Sequence, residues 1–327
     1  MASPESNPAQ VRGFKGLNNR IDPTALGLEW QLRAENVLCD DAGYLTRRPG
    51  MDSFLSGLKD VYGTRNGRLL AITTDDDLVE LTETGETLPL HTGVTGGPFQ
   101  WAELGYALFL QSKAVSWAVY NDRVILWGSL CPAPSMASYP LADPISYPPP
   151  TGEVICARRS QMAVGVWEND RGRSILYFSR PDFPHEFRYE RDFVMVPGRI
   201  TMLAAVSRGI VIGTDRSIFF DAVDAPMERV ADYGVPLNAI AFDDRDVVHF
   251  WSERGLCRIP GKDRLFENIT DSFLSIQLRE NTTAGILPYQ GSGYAIVSMT
   301  GPLVSKQLAR PYTPMAISST KTQGIVV

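Results

Sequence analysis

Gly209-Ile-Val-Ile-Gly-Thr-Asp-Arg-Ser-Ile-Phe-Phe220 is the stretch on which the fold turns. An apolar run of β-branched residues leads to Thr214-Asp-Arg-Ser217, and a second apolar run follows at once. Two short apolar runs separated by a few polar turn residues read as a β-hairpin. The same unit recurs along the chain. Gly67-Arg-Leu-Leu-Ala-Ile-Thr-Thr-Asp-Asp-Asp-Leu-Val-Glu-Leu81 is one copy, and Gly105-Tyr-Ala-Leu-Phe-Leu-Gln-Ser-Lys-Ala-Val-Ser-Trp117 is another. Gln161-Met-Ala-Val-Gly-Val-Trp167 runs through a longer turn to Ser174-Ile-Leu-Tyr-Phe178. Asp246 to Ile259 and Gly293 to Val304 complete the set.

The six units start at 67, 105, 161, 209, 246 and 293, so the intervals are 38, 56, 48, 37 and 47 residues, with a mean of about 45. Four-stranded propeller blades repeat every 40–50 residues. A single hairpin cannot bury both of its faces, and stacking successive small sheets does so while leaving short edges. The expected fold is therefore all-β, a β-propeller of about six blades over residues 57–305. A β-sandwich with coincidental spacing is the alternative. The longest interval contains Cys131 to Pro150, too rich in proline for a central strand, and is expected to be a surface loop. In that loop Tyr139 and Tyr147 are candidates for surface recognition.

The 327 residues are 44% hydrophobic and 21% charged, which is globular composition. The net charge of −6 lacks the basic footprint of a nucleic-acid binder. No apolar run reaches the length of a membrane-spanning helix. The N-terminus lacks the charged and apolar regions of a secretory signal, so none is expected. Residues 1–10 are rich in Ser, Pro, Asn and Glu and are expected to be disordered; 306–327 reads as an extended tail.

Chemical motifs are mostly missing. Cys39, Cys131, Cys156 and Cys257 are widely spaced, which does not suit zinc or a redox pair, and they read as buried thiols. His249 lies in an apolar strand pattern. Asp75-Asp-Asp77 could attract a hard cation, but its spacing is not that of a calcium loop and it falls where the repeat needs a turn. No nucleophile elbow, phosphate loop or dinucleotide fingerprint occurs. No catalytic, cofactor or metal residues are therefore assigned, no cofactor is expected, and the chain is expected not to be an enzyme.

Residues 11–56 differ from the rest. Asp22-Pro23 is a helix-start signal, and Leu26, Trp30, Ala34 and Val37 share one helical face, so a short helix is expected. Asn36 to Arg47 reads as a hairpin with Gly43 in its turn. Gly13-Phe-Lys-Gly-Leu-Asn-Asn-Arg-Ile-Asp-Pro, then Ala34-Glu-Asn-Val-Leu, then Asp41-Ala-Gly-Tyr-Leu-Thr-Arg-Arg-Pro-Gly50 resembles the opening of bacteriophage tail hub, nozzle and stabilisation (head-completion) proteins, which continue into a β-propeller.

The resemblance covers about residues 13–50. It implies a structural virion protein of the tail, made in the host cytoplasm, with no membrane anchor. Copies would form a ring, for instance a hexamer, around the ejection channel, contacting other tail, adaptor or portal proteins. DNA would pass through an acidic lumen without specific binding, since phosphate affinity comes from Lys and Arg. Phe14, Leu17, Asn18, Trp30, Asn36, Arg47 and Arg48 are the implied interface candidates. Their chemistry equally suits fixing the segment on its own chain: amides satisfy loop backbone, and guanidinium groups fork onto carboxylates or carbonyls. The alternatives are a receptor-binding module of the tail tip or baseplate, and a glycan-degrading propeller enzyme.

Overall fold

The computed structural model describes residues 13, 15–18, 20–31, 37–39, 44–47, 55–130, 147–223, 225–242, 247–259, 267–268, 279–289, 292–303 and 323–326. Nearly all regular structure in them is β. The only helical elements among the described residues are the single 3-10 turns Trp127–Ser129 and Asn169–Arg171. The chain divides into two compact units, one of residues 52–238 and one of residues 1–51 with 239–327.

In the second of these, β1 (Gly16–Leu17) pairs in parallel with β2 (Trp30–Gln31), and β3 (Val37–Cys39) pairs antiparallel with β4 (Leu45–Arg47). The hairpin is as expected; Gly43 lies outside the described residues. Among the described residues the expected helix is not seen: Asp22–Ala25 makes one turn, closed by the Ala25 N–H donating to the Asp22 carbonyl at 2.9 Å. Trp30, meant for its buried face, is instead in a strand. Backbone pairing to β1 has overridden a weak helical period interrupted by Gly27.

Residues 52–238 hold four successive antiparallel sheets. The first is β5 (Leu58–Gly63), β6 (Leu69–Thr73), β7 (Leu78–Leu81) and β8 (Thr87–His91). The second is β9 (Gln100–Leu104), β10 (Ala107–Gln111), β11 (Ser116–Tyr120) and β12 (Arg123–Leu126). The third is β13 (Val154–Arg158), β14 (Gln161–Glu168) and β15 (Arg173–Arg180), whose two halves pair β16 (Phe183–Phe187) and β17 (Phe193–Pro197). The fourth is β18 (Ile200–Val206), β19 (Gly209–Thr214), β20 (Ile218–Ala222) and β21 (Glu228–Ala231). The first, second and fourth are simple four-stranded meanders, the third adds β17 beside β15, and each is a blade of a β-propeller.

Side-chain alternation explains why blades stack. In β10, Leu108 and Leu110 pack with Leu70, Ile72 and Leu78 of the first blade. The intervening Ala107 and Phe109 pack with Ile155, Met162 and Val164 of the third. In the third blade Cys156, Ala163 and Leu176 turn the other way, onto Leu203, Ile210 and Ile212 of the fourth. A strand buried on both faces needs apolar residues at consecutive positions, because period 2 sends neighbours to opposite sides. Fully buried Phe109 contributes about 2–3 kcal/mol by transfer alone.

The other unit contains a fifth blade sheet, β22 (Ile240–Phe242), β23 (Val248–Ser252), β24 (Gly255–Ile259) and β25 (Glu267–Asn268). It also holds β26 (Arg279–Tyr289), β27 (Ser292–Leu303) and β28 (Gln323–Val326), a three-stranded sheet. The expectation of about six blades is thus corrected to five. The hairpin expected over Gly293–Val304 is instead one strand, β27, which pairs backwards with β26 and carries a register irregularity between Thr300 and Leu303. Gly301 and Pro302 fall in that irregularity near the strand end, where proline and glycine are tolerated.

Candidate functional site

Asn18 is buried, and its side-chain oxygen accepts the N–H groups of Arg20 (3.1 Å) and Ile21 (3.4 Å). Its own N–H donates to the Gln31 carbonyl at 2.8 Å, and the Lys15 N–H donates to that of Glu29 at 2.8 Å. Asn18 therefore ties the start of the crossover from β1 to its parallel partner β2, an Asx turn satisfying backbone donors that burial would otherwise orphan. Trp30 is half-buried beside it, and Arg47 is exposed on β4. Leu17 is in β1, with nothing described of its side chain; Phe14, Asn36, Arg48 and Tyr139 lie outside the described residues. The same segment exposes large apolar side chains: Leu28 (66%), Tyr44 (70%), Ile21 and Leu45.

Tyr147 is engaged in the third blade. Its backbone bridges Phe187, and its ring stacks on Tyr189 at 5.0 Å and 9°. The Tyr189 hydroxyl donates to the Pro148 carbonyl at 2.5 Å, and its ring tilts against Tyr177. Burial raises the pKa of both Tyr177 and Tyr189, disfavouring their phenolates. The stack fastens the end of the Pro-rich segment to its blade.

Polar side chains mostly tie blades together. Glu153, before β13, meets the Lys113 ammonium at 2.7 Å and the Arg199 Nε at 2.5 Å. It thereby links the β10–β11 turn to the entries of the third and fourth blades. Between the first two blades, the Asp60 carboxylate accepts the Trp101 Nε1–H (3.1 Å) and the Val61 N–H (2.9 Å). Burial raises its pKa, against these two hydrogen bonds. Asp221 is raised likewise by burial, opposed by Arg158 at 3.7 Å. These two carboxyls belong to the first and fourth blades, each committed to its own neighbours, so the geometry does not assemble them as an acid–base pair.

Asp75 to Asp77 form the β6–β7 turn, with Asp76 at φ +66° and paired to Lys59 at 2.5 Å. Among the described residues no group of three or more His, Cys, Asp or Glu side chains is arranged to hold a metal ion. Cys156 and Cys257 are buried free thiols. Sequence reasoning passed over Arg68 in the β5–β6 turn, because an isolated arginine in a turn carries no pattern.

No family model matches the chain, and no curated protein does. Solved structures that do match include the extracellular domain of a two component system from B. thetaiotaomicron, at 12% identity and TM-score 0.45, over 81% of this chain and 33% of that one. A gluconolactonase from Xanthomonas campestris matches at 12% identity and TM-score 0.42, over 72% and 80% of the two chains. An ancestral GH74 enzyme matches at 9% identity and TM-score 0.40, over 80% and 40%. The chain spans about a third of the first-named structure.

Proposed function

We propose that this chain is a non-enzymatic building block of a bacteriophage tail, a nozzle- or hub-type component that assembles into a ring through its N-terminal segment. The single observation that carries the reading is the pairing of features in that segment. The residues that bear the family resemblance also leave Ile21, Leu28, Tyr44 and Leu45 exposed, and large apolar side chains left uncovered in one segment suit a protein contact. Interface cores favour such aromatic and aliphatic anchors. In this reading the blade sheets are scaffold, and Asn18 and the β3–β4 hairpin preorganise the segment for docking. A contact made between unlike faces of successive copies closes into a ring when the rotation closes.

The test is assembly. Full-length chain should form a discrete oligomer by analytical ultracentrifugation, and Leu28→Ser/Tyr44→Ser should remain monomeric with an unchanged β-type circular dichroism spectrum. Deleting residues 11–50 should block incorporation into particles. A wild-type chain that stays monomeric, or a truncated chain that assembles normally, would overturn the reading.

A further inference from the structure

We infer that Asn66 is a site of self-modification: the Gly67 amide nitrogen attacks the Asn66 side chain, ammonia leaves, and an aspartate or isoaspartate takes the place of the amide where the first two blades join. Of the ten asparagines in the chain, Asn66 alone is followed by glycine. Arg65, Asn66 and Gly67 form the exposed tip of the β5–β6 turn.

The first argument is access. The Thr64 N–H donates to the Arg68 carbonyl at 2.8 Å, and the Gly67 N–H to the Thr64 carbonyl at 3.0 Å. This is a three-residue hairpin loop whose last residue is left-handed, Gly67 at φ +85°. A Cβ built on Gly67 would meet nothing within 4 Å, so the space beside it is open. Only the hydrogen bond to Thr64 holds the attacking nitrogen back, and exposed turn tips open locally at little cost.

The second argument is the state of the group attacked. The Asn66 Oδ1 accepts the Thr64 hydroxyl at 2.5 Å, and that proton is shared with the Arg68 carbonyl at 2.9 Å. A donor on Oδ1 draws electrons from Cγ. It also meets the oxygen on which negative charge gathers as the nitrogen adds.

The third argument is that the turn does not need asparagine. Between β7 and β8 the same turn recurs at Thr82–Glu86. There the Thr82 N–H donates to the Glu86 carbonyl at 2.9 Å and the Gly85 N–H to the Thr82 carbonyl at 3.0 Å, with Gly85 at φ +85°. Thr84 stands at the position equivalent to Asn66, its hydroxyl 2.9 Å from that of Thr82. Threonine serves the same geometry, and only the Asn66 copy offers an amide to the next nitrogen.

The step balances with water alone. As the Gly67 nitrogen bonds to Cγ it gives up its proton, and the Cγ–Nδ2 bond breaks to release ammonia. One water then opens the resulting succinimide. Addition at Cγ gives aspartate. Addition at the main-chain carbonyl carbon breaks the original Asn66–Gly67 peptide bond, and the chain runs on through Cγ as isoaspartate. The isoaspartyl backbone is longer by one carbon, in a loop tied twice to the second blade. The Arg65 N–H donates to Glu103 Oε1 at 2.9 Å, and Arg68 Nη1 to Asp122 Oδ1 at 2.8 Å. Lengthening the loop disturbs both ties.

The experiment holds full-length protein at mildly alkaline pH and cleaves it with a lysine-specific protease. Fragment 60–113 contains no other asparagine, so the mass gain from amide to acid in it reports Asn66. It should convert before Asn121 and Asn169, which are equally exposed but precede aspartate. Asn66→Thr, the residue of the equivalent turn, should fold as wild type and lose the mass gain altogether. The isoaspartyl fraction, identified by an isoaspartyl-specific methyltransferase, should unfold at lower urea than unconverted protein. Asn66→Asp, with the same charge on an ordinary backbone, should not. An Asn66 still intact after Asn121 or Asn169 has converted overturns the site, and so does a mass gain that persists in Asn66→Thr. Isoaspartyl protein as resistant to urea as wild type overturns the loosening of the blade ties.

Discussion

Three glycines inside strands separate what a strand glycine costs from what it permits. Gly63 ends β5 with φ in the ordinary range and nothing within 4 Å of a Cβ built there. Gly213 in β19 would bring a Cβ to 3.0 Å from Met202 and Val235 side-chain atoms. Gly209, at the start of β19, would bring one to 2.1 Å from the Asp221 carbonyl oxygen and 3.0 Å from the Ala222 Cα. Ordinary contact begins near 3.4 Å, so Gly209→Ala requires a separation of 3.4 − 2.1 = 1.3 Å between backbones held in register as Gly209↔Ala222. At Gly213 the shift needed is 3.4 − 3.0 = 0.4 Å, whereas at Gly209 a paired backbone would have to part by three times as much. Overpacking of about 1–3 kcal/mol, with two ladder hydrogen bonds of about 1 kcal/mol each, puts Gly209→Ala at roughly 3–5 kcal/mol. Gly213→Ala should cost about 1–2 kcal/mol, since the Met202 and Val235 Cβ atoms, fixed to their backbones, need give only a few tenths of an ångström. Gly63→Ala should stabilise by about 0.4–1 kcal/mol, because alanine restricts the unfolded chain and meets nothing in the folded one. Urea unfolding followed by tryptophan fluorescence reads all three. A Gly209→Ala protein within about 1 kcal/mol of wild type would refute the argument that backbone approach, not propensity, dictates glycine there.

Trp127 is fully buried against Phe109 and Phe187, and its Nε1–H donates to the Pro184 carbonyl at 2.9 Å. Trp127→Phe should lower the urea unfolding free energy by about 2–3 kcal/mol, by leaving that carbonyl without its donor and a gap in the core. His185 has its pKa lowered, chiefly by burial, with Arg180 adding to the effect and Glu186 opposing it. Below 6.5 the unfolded chain therefore binds a proton that the folded one resists, so stability should be lost as pH falls from 6.5 toward the folded value. His185→Gln should flatten that part of the stability–pH curve. Burial pushes the Cys156 thiol up to about 12, so it should stay unmodified by a thiol reagent at pH 8 until the protein unfolds; fast labelling of the native protein would contradict its burial.

The hairpins at 67–81, 105–117, 161–178, 209–220 and 246–259 were legible because each is the central pair of a blade. Central strands have both edges paired and both faces covered, so their residues are apolar at nearly every position, as the wholly buried β10 and β19 show. The outer strands were hidden: β8, Thr-Leu-Pro-Leu-His, and β12, Arg-Val-Ile-Leu, are short, largely solvent-facing and indistinct from turns. Gly293–Val304 has the apolar-polar-apolar pattern of a blade hairpin, but its polar middle lies within one strand whose register shifts between Thr300 and Leu303. The N-terminal helix reading failed at Trp30, where four residues of helical spacing lost to pairing with Gly16–Leu17.

Local chemistry therefore determined that the chain is β-rich, that it is built from repeating hairpins, and that the Asp75–Asp77 run is a turn. Those properties depend on residues close together in sequence, where propensity and period act directly. The number of blades, the burial of Asn18, the Glu153 ties and the meeting of Arg68 with Asp122 were decided by tertiary structure. Arg68 and Asp122 stand 122 − 68 = 54 residues apart and belong to turns of adjoining blades. Stacking of sheets brings such turns side by side, and the ion pair between them exists only once the apolar faces beneath have closed.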